Sequence, residues 1–267
     1  MDIGDRMKLY EQNEAGRRLM PLLPALARID GRSFHSFTRG LPRPYCERLH
    51  NLMCLTTQWL VEKTNALIGY TQSDEITLCW LQKTFESQIF FDGKIQKMVS
   101  QLGAISTLYF NKFVDQYLGN GYKLKHPTFD ARVWTVPNLT EAANAFIWRE
   151  QDATRNSIIM AALAQYSHNE LHEKSCNEMQ EMLHVKGVNW NDYPDWAKRG
   201  TFVKRVTEVR RLTVGEIEKL PEKHDLRSNP NTVVNRHRIV KYNLPVLTKI
   251  DNLQAVLFTG AEPILKS

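Results

Sequence analysis

The strongest constraint on this chain is the order in which strand-like and helix-like periodicities alternate over its first 137 residues. Residues 22–29 form a short apolar run ending at Asp30 and Gly31, which predicts a strand and then a turn. Residues 47–61 place Leu49, Leu52, Met53, Leu60 and Val61 near a period of 3.6, the pattern of an amphipathic helix. Two short apolar stretches, 66–70 and 76–80, flank the polar residues 71–75 and predict a hairpin. A second amphipathic helix is expected over 95–113, then a strand over 129–136 closed by Pro137. The resulting order, β-α-β-β-α-β, is that of a ferredoxin-like split βαβ sheet, and it sets the fold class as α/β (α+β).

Beyond residue 137 the pattern turns helical, over 140–147, 152–166 and 172–183. An ordered loop is expected over 185–200, basic alternating strands over 201–212 and 231–242, and an irregular tail over 244–265. We therefore expect a catalytic core over 1–137 and a helical, basic extension over 138–267 packed on it as one unit. Charge supports a functional reading of that extension. Residues 198–241 carry 12 basic and 5 acidic side chains, while the whole chain nets only +6. A basic third on a neutral body suits a polyanion partner such as RNA or nucleotide phosphates, although a solvated basic face would have the same composition. No apolar run is long enough to span a membrane, and residues 1–6 have no signal-peptide character. Cys46, Cys54, Cys79 and Cys176 lack CxxC spacing and read as reduced thiols of a cytoplasmic protein.

The chemical signal lies in two acid clusters. Asp30 ends the first strand, and Asp74 and Glu75 sit at the following hairpin, so the split sheet would bring them face to face. Two carboxylates and a backbone carbonyl suit Mg²⁺, which keeps its other positions for water and substrate phosphates. Two such ions can serve phosphoryl transfer, and Gly31 would let a phosphate or metal approach the backbone. Turn chemistry alone also favours Asp at such positions. The combination with this element order and with flanking Arg28, Arg32, Arg43, Lys94 and Lys97 is how palm polymerases and nucleotide cyclases build a two-metal site. Other leads are weaker. His168 and His172 are spaced i, i+4 but lack the zincin order, and there is no Walker A or GxSxG sequence.

Six motifs in order then resemble one family, the tRNA-histidine guanylyltransferases and their guanylyltransferase-like relatives. They are Gly-Asp-Arg-Met-Lys-Leu-Tyr-Glu at 4–11, Arg-Ile-Asp-Gly-Arg-Ser-Phe-His-Ser-Phe at 28–37 and Gln-Ser-Asp-Glu at 72–75. Phe-Asp-Ala-Arg-Val at 129–133, Trp-Arg-Glu-Gln-Asp at 148–152 and Lys-Arg-Gly-Thr at 198–201 complete the set. The resemblance spans roughly residues 4–206 and implies a polymerase-palm core that adds nucleotides to the 5′ end of tRNA in the 3′-to-5′ direction. By that resemblance a tRNA 5′-monophosphate is activated with ATP, and the 3′-hydroxyl of GTP then attacks it and displaces AMP. Two Mg²⁺ ions would be held by Asp30, Asp74 and the Gly31 carbonyl, with Glu75 a needed acid.

Arg28 and Arg32, which bracket Asp30, and Ser33 beside them are expected to contact the nucleotide; the resemblance further implies nucleotide contacts at Phe34, His35, Arg43 and Ser73, and a second triphosphate at Lys94 and Lys97. It implies tRNA-end contacts at Arg149, Asn156, Asn191, Lys198 and Arg199, and a homotetramer. One departure stands out. The His-Ile-Asn-Asn run of eukaryotic members is replaced by Thr154, Arg155, Asn156 and Ser157. That favours the bacterial, archaeal and phage relatives and predicts template-dependent repair of tRNA 5′ ends with any pairing nucleoside triphosphate. The alternatives are obligatory guanosine addition to histidine tRNA, a palm-type cyclase-like signalling enzyme, and an inactive RNA-binding module.

Overall fold

The computed structural model describes every residue except Lys223, Pro230, Thr232 and Ser267, and the side chain of Ser228. Its elements run α1 (Ile3–Ala15), β1 (Ala25–Gly31), α2 (Phe34–Phe37), α3 (Glu47–Thr64), β2 (Ile68–Gln72), β3 (Glu75–Trp80), α4 (Ile95–Leu118), α5 (Asn120–Lys123) and β4 (Phe129–Thr135). They continue α6 (Leu139–Leu163), α7 (Cys176–Val185), α8 (Asp195–Arg199), β5 (Thr201–Arg211), α9 (Val214–Glu218), α10 (Asp225–Ser228), β6 (Val233–Tyr242) and α11 (Leu253–Phe258). The six strands form one antiparallel sheet in the order β4-β1-β3-β2-β5-β6. Its first four strands reproduce the ferredoxin-like arrangement expected from the periodicities, and β5 and β6 extend the β2 edge.

Side-chain alternation splits β1 between two cores. Ala27 and Ile29 face α3 and α4, packing with Leu52, Met53, Leu60, Met98, Leu102 and Phe110. Leu26 faces the opposite way, with Ile68, Tyr70, Cys79 and Phe202, against Phe146 of α6 and Val256 and Leu257 of α11. Both faces of the inner strands are thus covered, which explains their nearly continuous apolar runs. β2 pairs with β5 only through Thr201–Lys204 registers, so the later residues of β5 and most of β6 leave the sheet as a two-stranded ribbon. Much of that ribbon's charge is matched internally: Arg210 pairs with Glu216 at 2.8 Å and Arg238 with Glu208 at 3.9 Å.

Several boundaries differ from expectation for physical reasons. β1 starts at Ala25, because exposed Leu22 has a positive φ of 64° and turns the chain before Pro24. The strand runs through Asp30 and Gly31, so the acid lies in the sheet and not after it. The hairpin loop is only Ser73 and Asp74; Gln72 pairs with Glu75. The two helical patterns 140–147 and 152–166 form one continuous helix, α6, because Arg149, Glu150 and Gln151 are good helix formers and the buried Arg149 and Glu150 find ionic partners. Helix α7 begins four residues later than expected, at a capping box between Ser175 and Glu178. The loop over 185–200 contains α8. The tail expected to be irregular folds α11, whose Leu253, Val256, Leu257 and Phe258 are buried. In the last predicted strand, Thr232 lies outside the described residues and β6 begins at Val233.

Candidate active site

The antiparallel register assembles the acids. Asp30 lies opposite Glu75 on β3 and opposite Asp130 on β4, so three carboxylates form a row on the sheet face that α6 covers. Two residues back, Arg28 lies opposite Arg132 and Thr77 on that same face. Burial pushes the Asp30 carboxyl above its ordinary range, and the Asp130 charge adds to the shift. Asp74, in the hairpin loop, is pushed up to about 6 by burial and by Asp30, against a hydrogen bond donated by Ser73 Oγ at 3.0 Å. Burial also raises Glu75, although Arg149 Nε stands 3.5 Å from its Oε2 and pulls it back down. These acids carry like charge, partial burial and few compensating donors, which is the electrostatic condition of a cation site.

The backbone beside them is unusual. Gly31 N–H donates to the Asp74 carbonyl at 3.1 Å, but the reciprocal bond from the Asp74 amide to the Gly31 carbonyl is absent among the described residues. The buried Gly31 carbonyl is thus left available beside the two aspartates. A Cβ on Gly31 would lie 2.3 Å from the Phe34 ring, so no other residue fits. Phe34 is itself held by Phe37, Phe110 and Phe129 at centroid distances of 4.8, 5.7 and 5.1 Å. Ser33 and Ser73 both take left-handed φ values, 55° and 53°, a strained conformation for residues with a Cβ. Among the described residues no group of three or more His, Cys, Asp or Glu side chains is placed to hold a metal ion. Two aspartates and one unpaired carbonyl nonetheless match the incomplete oxygen set that Mg²⁺ accepts when substrate phosphates supply the rest.

A cavity of about 390 Å³ opens next to this row, lined by Phe34, His35, Arg43, Ser73, Asp74 and, from α6, Met160. His168, which the sequence reading set aside as a metal ligand, also lines it. A smaller recess, which shares Leu49, Ser73 and Met160 with the cavity, is lined by Tyr45, His50 and Trp196. His50 was not foreseen. Its ring stacks on Trp196 at 4.5 Å, and its Nε2 lies 3.3 Å from both Cys54 Sγ and Thr201 Oγ1. Burial, with help from Lys241, lowers its pKa to about 4. The i, i+4 spacing of His50 and Cys54 on α3 was its only sequence signal.

The remaining expected residues divide. Arg28, Ser33, Phe34, His35, Arg43 and Ser73 gather around Asp30, Asp74 and the cavity, with Arg32 exposed next to Gly31. Lys94 and Lys97 do not join them within one chain. They start α4 close to the Trp80–Phe90 stack, at the Ala25 end of the strands, while Asp30 lies at the other end. Arg149 is 6% exposed and is held by Glu75 and Asp152. Asn156 donates to Asp152 at 3.3 Å. Asn191 is exposed, and its carbonyl accepts from Lys198 Nζ at 2.8 Å. Arg199 turns inward to Glu150 and the Leu244 carbonyl.

A ferredoxin-like sheet with aspartates at the end of its first strand and in the next hairpin, flanked by arginines and an open cavity, is the arrangement of a polymerase-palm enzyme, and its relatives make it a nucleotidyltransferase. The family model Thg1, tRNAHis guanylyltransferase, matches residues 4–137. A bacterial tRNA(His) guanylyltransferase-like protein solved in complex with ATP is 36% identical, with a TM-score of 0.70 over 76% of this chain and 88% of its own. Another, in complex with GTP, is 30% identical, with a TM-score of 0.68 over 92% of this chain and 94% of its own. The tRNA(His) guanylyltransferase of Saccharomyces cerevisiae is 27% identical over 222 residues, 76% of this chain and 92% of the yeast protein. The chain belongs to the tRNA(His) guanylyltransferase family.

Proposed function

We propose that this enzyme adds guanosine to the 5′ end of histidine tRNA, extending the RNA in the 3′-to-5′ direction with GTP and using ATP to activate a 5′-monophosphate. The observation that carries this reading is the family match across the acid-bearing core, supported by relatives whose structures hold ATP and GTP. Family membership favours tRNA over the small-molecule substrate of a cyclase. The carboxylates of Asp30 and Asp74 and the Gly31 carbonyl would hold Mg²⁺, a cofactor that neutralises charge on transferring phosphoryl groups. Around them His35 and Arg43 would bind the nucleotide in the cavity, Ser73 would orient Asp74 by hydrogen bond, and Arg149 would tie α6 to Glu75. The second half is part of this machinery, since α6 supplies Arg149 and β5 extends the sheet, so we propose that 138–267 folds and works only with 1–137.

Template-dependent repair is a second reading. It is favoured by Thr154, Arg155, Asn156 and Ser157 and by the higher identity to the bacterial guanylyltransferase-like proteins than to the yeast enzyme. The guanylyltransferase names of the curated relatives favour the first. One assay separates them. A labelled tRNA lacking its first nucleotide is incubated with Mg²⁺, ATP and all four nucleoside triphosphates, with each base in turn at the opposite position. Guanosine added whatever lies opposite supports the first reading, an added nucleotide that follows the opposite base supports the second, and no addition overturns both.

Two further proposals concern context. We propose a homotetramer, supported by α1, in which no residue is buried and Ile3, Met7 and Tyr10 are exposed on one helical face; light scattering of the purified protein tests it. The four free cysteines suit a reducing compartment, and we propose the cytoplasm. No helix of the described residues is long and apolar enough to cross a membrane.

A further inference from the structure

Of the six tryptophans, Trp148 alone is exposed, at 50%. It belongs to none of the three apolar cores, although its α6 neighbours Phe146 and Arg149 are buried. Its ring lies under two guanidinium groups, with Arg149 4.2 Å and Arg28 5.6 Å from the centroid. Arg149 is fixed from behind by Glu75 and Asp152, so the indole is held against a rigid support next to the acid row. Arg132, opposite Arg28 in the sheet, has a 57% exposed side chain and only a loose 3.7 Å contact with Asp130. β4 is the edge strand of the sheet, and on this face it carries Arg132 and the half-buried Trp134. The result is an open shelf of one indole and two guanidinium groups that begins at Asp30 and leads to the edge of the sheet.

We propose that Trp148 is a stacking platform for the terminal nucleobase of the RNA 5′ end, with Arg28 and Arg132 taking the neighbouring backbone phosphates. This rests on the RNA-directed reading above and extends it to a contact residue. An exposed indole stacks any base, because every base presents a π-face, and guanidinium groups neutralise phosphates without selecting sequence. RNA is the occupant argued for, because the cavity of about 390 Å³ with His35 and Arg43 already suits a single nucleotide, whereas the shelf runs out to the edge strand β4, where an RNA strand can continue. An exposed Arg132–Asp130 pair is weak enough for a phosphate to displace.

The test uses the full chain and a fluorescently labelled, 5′-monophosphorylated RNA hairpin, with binding read by anisotropy. Trp148→Ala should weaken hairpin binding about 5- to 150-fold, the range of one base–aromatic stack. Trp148→Phe should recover most of the affinity, and the thermal midpoint and GTP binding of both variants should match the parent. An unchanged hairpin affinity in Trp148→Ala overturns the proposal. So does a loss confined to GTP, which would assign the ring to the free nucleotide, or a Trp148→Phe variant as weak as Trp148→Ala. If the parent protein binds the hairpin but transfers nothing to any RNA, the proposed function falls, and the stacking proposal is still decided by the three affinities. A parent that does not bind the hairpin overturns the stacking proposal as well.

Discussion

Arg149 and Glu150 are neighbours on α6, are almost fully buried, and serve two different ionic networks. Glu150 forms a closed network: Arg199 stands 3.3 Å away, and the Leu247 amide donates to it at 2.9 Å, pinning the tail that carries α11. Arg149 reaches a network left open. Its partner Glu75 shares a row with Asp30 and Asp130, Asp74 is buried near them, and the Gly31 carbonyl lacks its ladder partner. The same chemistry, carboxylate against guanidinium, is satisfied in one place and deficient in positive charge in the other. Burial raises the carboxyl pKa in both networks, but a satisfied pair holds structure, whereas a row of like charges favours a cation or phosphate, and the strained backbone of Ser33 and Ser73 gathers at that second site.

The comparison is broken most severely at the open network. Asp30→Ala or Asp74→Ala should reduce nucleotide addition by about 1,000-fold or more while the thermal midpoint holds or rises, since each removes a like charge; a single-turnover assay with a melting curve checks both halves. At the closed network the effect should be inverted. Glu150→Ala leaves Arg199 and the Leu247 amide without their acceptor and should cost about 3 kcal/mol in urea unfolding. If it left stability unchanged and abolished only activity, the division between the two networks would be wrong.

A third measurement concerns the recess lined by His50 and Trp196. His50 protonates near 6.5 in the unfolded chain but only near 4 in the fold. Between those values the unfolded state binds the proton first, so stability from this residue is full above pH 6.5 and falls as pH drops toward 4, by about 3 kcal/mol in total. His50→Gln should flatten that part of the stability–pH curve, as denaturant titrations across the window would report. The smallest effect is expected far from both networks, on the ribbon. Arg238→Ala breaks an exposed 3.9 Å contact with Glu208 and should change stability by less than about 1 kcal/mol.

The core was legible where periodicity and burial agree. Leu49, Leu52, Met53 and Leu60 read as one face of a helix and pack as one. Asp30, Asp74 and Glu75 were legible as acids at strand ends, because the sheet order needed to face them follows from β-α-β-β-α-β. The tail was not. Leu253, Val256, Leu257 and Phe258 form a helix too short to announce itself, and it is stabilised by a core from the opposite side of the sheet. His50 was passed over, and Trp148 was quoted in the 148–152 motif without a role, for a related reason, since what a single aromatic on a helix does depends on which strand lies beneath it.

By itself the sequence determined the order of strands and helices, the two acid positions and the glycine that follows the first of them, because these depend on local periodicity and on where a Cβ can be tolerated. Tertiary structure decided which charges are compensated. Arg149 and Arg199 both looked free to bind RNA, yet Arg149 found the half-buried Glu75 and Arg199 the buried Glu150, and Lys94 and Lys97 were carried to the far end of the strands. Compensation is a matter of through-space distance and dielectric, and neither is encoded in the spacing of residues along the chain.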